Sequence, residues 1–362
     1  MHKHKHNAVN ERIKREYFTY LKEAKRQSEA SVDAVAAALA RFEAHTRCRD
    51  FKTFHHQQAV AFKQWLSNQR SETTNKSLSK ATLHATLSHL KRFFQWLAGR
   101  PGYKSRFSYS DAEYFNVSEK DARIATARRS RLAPTVEQVR HVIAHMPTET
   151  EIERRNRALV AFILLTGARD SAVASAKLKH IDTVSGCFYQ DAREVKTKYS
   201  KTFTTAFFPV GEDIRQIVAD WAYHLRRQKL WGHDDPLFPK TLRTIGTGRQ
   251  FEHVQLSREH WSNATPIRGI FRQAFEAAGL PYYHPHSLRH TLAQMGEQLC
   301  RTPEQFKAWS QNLGHEGVLT TLFAYGTVPA GRQREIIANF GVSAEGAATD
   351  RGAPGGPSHP FV

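Results

Sequence analysis

Cysteine is scarce in this chain of 362 residues: there are three, Cys48, Cys187 and Cys300. They lie far apart and fit neither a disulfide framework nor a zinc cluster, so a reducing cytoplasm is the simplest compartment. Long apolar runs are missing as well. None approaches the roughly 20 residues needed to cross a bilayer. The opening Met1-His-Lys-His-Lys-His6 lacks the apolar core of a secretory signal and reads as a flexible basic tip over residues 1–10. Acidic side chains are also in deficit, with 34 Asp+Glu against 53 Lys+Arg and a formal charge of +19. The imbalance is concentrated: residues 1–130 hold 25 Lys+Arg against 12 Asp+Glu, which is +13 of that total. Such a surplus points to a polyanion, most simply nucleic acid. Anionic membrane is the rival, but no segment has the basic-plus-aromatic face of an interfacial helix. No internal repeat is visible, and the length suffices for two domains with cores of their own.

The first part of the chain reads as helical. Segments near 11–27, 30–46, 56–69 and 79–98 carry apolar residues at helical spacing, as in Leu83, Leu87, Leu90, Phe94 and Leu97. Lys76, Lys80, Lys91 and Arg92 lie on or beside the last of these. An isolated charge run is usually a solvated face, but here the excess is sustained over the whole domain, which favours DNA contact. Gly99, Pro101 and Gly102 break the helical pattern, and residues 99–133 look like a connecting stretch that ends in the basic cluster Arg128, Arg129 and Arg131 before Pro134. The expected division is a helical domain over 11–115, a basic linker over 116–133, a second domain over 134–342 and a disordered tail rich in Gly, Ala and Pro over 343–362.

In the second domain, Thr135 with Gln138 makes a capping box for a helix over 136–146, followed by an apolar helix near 152–165 that ends at Thr166-Gly167. The one β region expected covers 186–190, 193–198 and 202–210. Helices are expected over 212–229, 258–279, 286–299, 303–312, 317–325 and 329–340, with Thr302-Pro303-Glu304-Gln305 a good helix start.

Within this domain, Arg169, His286, Arg289, His315 and Tyr325 form an unusual set of residue types without obvious metal ligands. Arginine is permanently charged and grips two phosphate oxygens at once. Histidine moves protons near neutral pH. Tyrosine supplies an oxygen nucleophile that can stay bonded to phosphorus. His286 and Arg289, three apart at a helix start, share a face where backbone N–H groups favour a phosphate. Each residue taken singly has a structural explanation: a surface pair, a helix cap, a turn histidine, a half-buried core tyrosine. His286 and His290 at a spacing of four also suggest zinc, but no Glu lies between them and no third ligand is evident.

The motifs Thr166-Gly-Ala-Arg169, His286-Ser-Leu-Arg289-His290-Thr291, Leu313-Gly-His315 and Thr320-Thr321 followed by Tyr325 resemble, in order and spacing, the boxes of the tyrosine recombinase, or phage-type integrase, superfamily. The basic helical domain before them resembles its core-binding domain. The resemblance implies a mainly α fold with a small β-sheet, built from an all-helical core-binding domain and an α+β catalytic domain. It further implies a DNA strand-exchange enzyme of a bacterial mobile element or phage, acting as a homo-tetramer on inverted-repeat core sites through a Holliday junction. By this resemblance Arg169 and Arg289 clamp the scissile phosphate, His286 assists proton movement, His315 donates to a phosphate oxygen, and Tyr325 attacks to leave a 3′-phosphotyrosyl bond and a free 5′-hydroxyl. A hairpin lysine protonates the leaving oxygen; Lys196, Lys198 and Lys201 compete for that role, and Lys198 is favoured by its place just ahead of the turn. No cofactor is expected, neither ATP nor metal, because the linkage stores the energy for rejoining. The helix over 329–340, with Ile336, Ile337 and Phe340, resembles the segment that family members pass to a neighbouring protomer; packing within its own chain is the alternative. The expected location is the bacterial cytoplasm, beside the nucleoid. Two departures stand out: Ala172 occupies a position that is usually acidic and braces the first arginine, and Tyr325 lies ten rather than nine residues after His315. Rival readings are a catalytically degenerate DNA-binding protein of the same fold and a type IB topoisomerase-like relaxation activity.

Overall fold

In the computed structural model, which describes residues 6–71, 75–127, 132–197, 201–245, 251–315 and 333, the chain folds as two units, 1–128 and 129–362. The regular elements of the first are α1 (Ala8–Thr19), α2 (Glu29–Thr46), α3 (His56–Ser67), α4 (Lys80–Ala98) and α5 (Glu119–Thr126). Ser28, Ser79 and Ser118 cap α2, α4 and α5, each side chain accepting a backbone N–H three residues on. α4 buries Leu83, Leu87, Leu90, Phe94 and Leu97, the stripe its spacing predicts. The core is aromatic. Phe54 stacks on Phe94 with ring centres 3.9 Å apart, and Phe42 meets Phe62 edge-on at 5.2 Å.

Two expectations fail in this unit. The flexible tip does not reach residue 10, because Asn7 caps α1 and Asn10 is fully buried. The Asn10 amide donates to Glu43 Oε1 at 3.1 Å and to the Arg49 carbonyl at 2.9 Å, and its oxygen accepts the Phe51 N–H at 3.1 Å. Nor is the stretch after Gly99 a linker. Tyr103, Phe107, Ala112 and Phe115 are buried in the same core, and a 3₁₀ segment (Tyr109–Phe115) and α5 both pack on α4. The Gly and Pro residues end a helix, but the aromatic side chains beyond them have apolar surface to bury and draw the chain back.

The second unit begins with α6 (Val136–His145) and α7 (Glu151–Thr166), both opened by capping boxes, Thr135 with Gln138 and Thr150 with Glu153. α7 is buried at every position from Ala158 to Thr166 and forms the axis of this core. A short α8 (Asp170–Ser175) leads into a three-stranded antiparallel sheet of β1 (Ile181–Asp182), β2 (Cys187–Gln190) and β3 (Phe203–Ala206) in that order, with Ile181 opposite Phe188 and Phe188 opposite Thr205. Then follow α9 (Glu212–Tyr223), the hairpin β4 (Thr241–Ile245) with β5 (Phe251–Leu256), α10 (Thr265–Ala277), α11 (Ser287–Leu299) and α12 (Pro303–Asn312).

Of the strand expected over 193–198, residues 193–195 form a turn instead and residue 198 lies outside the described residues. The Asp191 carboxylate takes the Arg193 N–H at 2.9 Å, and the Asp191 carbonyl takes those of Glu194 and Val195 at 3.0 and 2.7 Å. Local Asp-to-backbone bonding outcompetes the strand preference of these residues. The 202–210 strand shrinks to β3. The β4–β5 hairpin was not expected at all, although Thr241, Thr244, Ile245, Phe251 and Val254 are strand-favouring residue types. The helix expected from 258 starts at Thr265, where the Asn263 side chain accepts the Thr265 N–H at 2.9 Å and Pro266 occupies the first turn. The expected helices over 317–325 and, Gln333 apart, 329–340, and the tail 343–362, lie outside the described residues. Among the described residues no helix is long and apolar enough to cross a membrane.

Candidate active site

α7 ends in Thr166-Gly167 for a steric reason. Gly167 has φ +60°, and a Cβ there would meet Leu292 and Leu313 at 3.0 Å. The turn delivers Arg169 to the N-cap of α8. The neighbouring Asp170 carboxylate is paired with Arg268 at 3.0 and 3.1 Å. Ala172, at the usually acidic position, is buried with 1 % exposure.

Arg289, on the first turn of α11, is only 5 % exposed. Its Nη1 donates to the Gly167 carbonyl at 2.5 Å, and its Nη2 donates to the Leu313 carbonyl and to His315 Nε2, the latter at 3.1 Å. Three motifs remote in sequence therefore meet on one guanidinium. Because arginine only donates, His315 Nε2 must be the acceptor and the imidazole proton sits on Nδ1. None of these partners is a carboxylate. Burial, and then the nearby Arg169 charge, lower the Arg289 pKa to about 9, so it remains charged at neutral pH. A buried cation with no counter-charge is costly unless a bound anion supplies it.

His315 is the electrostatic meeting point of the site. Burial pushes its pKa down to about 4, reinforced by Arg289 and Arg169 and then by His286 and His290. Arg169, Arg289, His286 and His315 are thus brought together. His286 is the exposed N-cap of α11, and its ring lies 5.6 Å from that of His290. Among the described residues no group of three His, Cys, Asp or Glu is placed to hold a metal ion. An unfolded chain binds the His315 proton near pH 6.5, whereas the folded protein does so only near 4. The native state binds fewer protons in this interval, so stability is full above about pH 6.5 and falls as pH drops toward 4. His315→Gln is expected to flatten that fall in urea melts taken across the interval. An unchanged pH slope would show that the imidazole titrates normally.

Of the hairpin lysine candidates, Lys198 lies outside the described residues, as do Tyr325, Thr320 and Thr321. Lys196, in the middle of the β2–β3 loop, is exposed, and Lys201, near its end, is half-buried.

Sequence reasoning missed two supports of the Leu313-Gly314-His315 turn. The Asn312 side chain pairs with the β3 edge as a strand would, its Oδ1 accepting the Ala206 N–H at 2.7 Å and its Nδ2 donating to the Ala206 carbonyl at 2.9 Å. Trp309 lies flat on Gly296 of α11 and donates its indole N–H to the Leu292 carbonyl at 2.8 Å. A Cβ at position 296 would come within 2.5 Å of the indole. Gly296→Ala is therefore expected to destabilise this unit by about 1–3 kcal/mol through overpacking. A denaturation midpoint equal to that of wild type would show that the indole moves aside freely.

In the first unit, Lys80 is paired with Asp121 at 2.9 Å, and Lys91 with Glu113 at 2.7 Å and with Asn116 Oδ1 at 3.0 Å. Lys76 and Arg92 are exposed. Solvent-screened pairs of this kind are weak and easily exchanged. Arg128, Arg129 and Arg131 lie outside the described residues.

Comparison with known proteins adds a family. The model of the phage integrase family matches residues 134–328, more than half of the chain. The tyrosine recombinase XerC of Lactobacillus delbrueckii subsp. bulgaricus is 25% identical over 253 residues, covering 68% of this chain and 72% of that protein. XerC of Escherichia coli O157:H7 is 22% identical over 247 residues, covering 68% and 70%. Among solved structures, a lambda integrase dimer bound to a COC′ core site aligns with a TM-score of 0.57 at 16% identity, covering 90% of this chain and 83% of that one. The XerH recombinase bound to a palindromic difH substrate, in its post-cleavage complex, gives 0.57 at 18% identity, with 90% and 84% covered. At such identities the structural likeness establishes a shared fold.

Proposed function

Because the chain belongs to the phage integrase family, we propose that it is a site-specific DNA recombinase that cuts and rejoins strands through a 3′-phosphotyrosyl intermediate. The observation that carries this reading is Arg289: a buried guanidinium without a carboxylate partner among the described residues, held by carbonyls from two remote motifs and beside His315. A scissile phosphate is the anion such a site lacks. Two N–H groups of Arg289 remain after its three hydrogen bonds, and Arg169 adds a second cation. Arg289 is held by its hydrogen bonds before the reaction begins, so it stabilises the extra negative charge of the pentacoordinate transition state without reorganisation.

In the proposed step the Tyr325 oxygen forms a bond to phosphorus as the bond to the 5′ oxygen breaks. The phenolic proton leaves with the help of His286. The 5′ oxygen takes a proton from a lysine of the β2–β3 loop, Lys198 in the favoured assignment. His315 donates its Nδ1 proton in a hydrogen bond to a non-bridging oxygen, and the phosphate charge offsets the cations that depress its basicity. Rejoining is the same step in reverse, with a 5′-hydroxyl from the partner duplex as nucleophile. That exchange produces a Holliday junction on a tetramer, two protomers on each of two inverted-repeat sites. The first unit and its connection supply DNA contacts through Lys76, Lys80, Lys91, Arg92, Arg128, Arg129 and Arg131, and the 329–340 helix docks on a neighbouring protomer.

A nicked suicide substrate tests the proposal. Once cleaved, it loses the short 5′-hydroxyl strand and cannot be religated. Wild-type protein is expected to form an SDS-stable adduct in the presence of EDTA. No adduct on substrates drawn from the inverted repeats flanking the gene would leave a DNA-binding protein of the same fold, and efficient relaxation of supercoiled DNA lacking any such site would favour the topoisomerase-like reading.

A further inference from the structure

The β2–β3 loop carries all three candidate lysines, and a short surface loop would hold an ammonium only loosely. Here its first half is fixed to the same helix that begins at Arg169. Ser171 Oγ donates to the Lys196 carbonyl at 3.2 Å, and the Lys196 N–H donates to Ser175 Oγ at 2.8 Å. Both backbone groups of one loop residue are therefore taken by hydroxyls of α8. The two serines are four apart and so share a helix side.

The Ser175 hydroxyl has a defined orientation. Its single proton goes to the preceding helix turn, to the Ser171 carbonyl at 3.0 Å or the Ala172 carbonyl at 3.3 Å, and either choice leaves a lone pair for Lys196. Immediately before this point, Glu194 anchors the loop a second time. Its carboxylate meets Lys179 and His180 at 2.8 Å and Lys177 at 3.4 Å. Between the two anchors Val195 is buried, with 1 % exposure. The loop thus leaves the domain from a rooted point beside Arg169.

We propose that Ser171 and Ser175 are positioning residues for the cation that protonates the leaving 5′ oxygen, acting through the backbone of Lys196. This rests on the reading that a lysine of the β2–β3 loop is the general acid. It explains how the acid and the phosphate clamp keep one geometry: α8 has Arg169 at its start and holds the Lys196 backbone along its side. The polar bracing that Ala172 cannot provide in this helix is directed to the loop by its serine neighbours.

Leaving-group chemistry tests it. An alcohol leaves phosphorus readily only when protonated, whereas a thiol has a pKa near 8.5 and leaves as the anion without help. Single-turnover cleavage is measured on matched suicide substrates with oxygen or sulfur at the 5′ bridging position. The proteins are wild type, Lys196→Ala, Lys198→Ala, Lys201→Ala, Ser171→Ala, Ser175→Ala and Ser175→Thr, with melting temperature and DNA affinity recorded for each. On the oxygen substrate Ser175→Ala is expected to be slower by about 10- to 100-fold, the scale of a misplaced catalytic group. On the sulfur substrate it should regain wild-type speed, as should the lysine variant that lacks the acid. Ser171→Ala should follow the same pattern more weakly, and Ser175→Thr, which keeps the hydroxyl, should restore cleavage of the oxygen substrate. Equal losses on both substrates, or no loss, for the two serine variants would overturn the positioning role. If Ser175→Ala does not fold, Ser171→Ala and Ser175→Thr decide alone. If no lysine variant is rescued by sulfur, the general-acid reading itself fails, a result separable from failure of the serine clamp.

Discussion

Arg289→Lys is expected to slow covalent cleavage by about 10²–10³-fold, the scale seen when one donor aimed at transition-state charge is lost. Charge alone does not explain the expectation, since lysine keeps it. The guanidinium spreads donors over the Gly167 carbonyl, the Leu313 carbonyl and His315 Nε2 while keeping N–H groups for a phosphate. An ammonium has three donors on a single atom and cannot span that fork. The substitution therefore leaves a buried carbonyl unpaired, which costs about 1–3 kcal/mol, and releases His315. Two readouts separate these effects: the melting temperature reports the carbonyl, and single-turnover adduct formation at saturating protein reports the phosphate. A variant within tenfold of wild type in adduct formation would remove Arg289 from the clamp, whatever its melting temperature.

Tyr325→Phe is expected to abolish the SDS-stable adduct, a loss on the order of 10⁶-fold, as for removal of a hydrolase nucleophile. The substitution deletes one oxygen and leaves the ring, so DNA affinity in a gel-shift assay should be unchanged. Tyr325 is the only tyrosine from His315 to the C-terminus. A persisting adduct would therefore place the nucleophile elsewhere in the protein, or on a different side chain. Combined with the suicide substrate, the outcome is unambiguous: no adduct from either protein contradicts catalysis, whereas adduct from both contradicts only the assignment.

Much of the fold was legible because its signals are local. The apolar spacing of Leu83, Leu87, Leu90, Phe94 and Leu97 makes α4 amphipathic, and the Thr135 and Thr302 capping boxes open α6 and α12 where expected. Errors arose where a local signal was real but its consequence was not local. The glycines and proline after α4 stop a helix without ending a domain, because Tyr103, Phe107 and Phe115 return to the core. At residues 193–195, the Asp191 side chain redirects the backbone into a turn.

The sequence by itself determined the class of chemistry and the family resemblance. Arginine, histidine and tyrosine have intrinsic donor geometry, acidity and nucleophilicity, and the spacing within each motif survives without a structure. Only the tertiary structure decided how those groups are held. Arg289 reaches a carbonyl 122 residues away, Asn312 completes the edge of β3 from 106 residues away, and Ser175 holds Lys196 across 21. These contacts join side chains to backbone groups, which every residue carries alike. They therefore leave no periodicity and no distinctive residue pattern to read, and appear only when packing brings α8, α11 and β3 together around one buried cation.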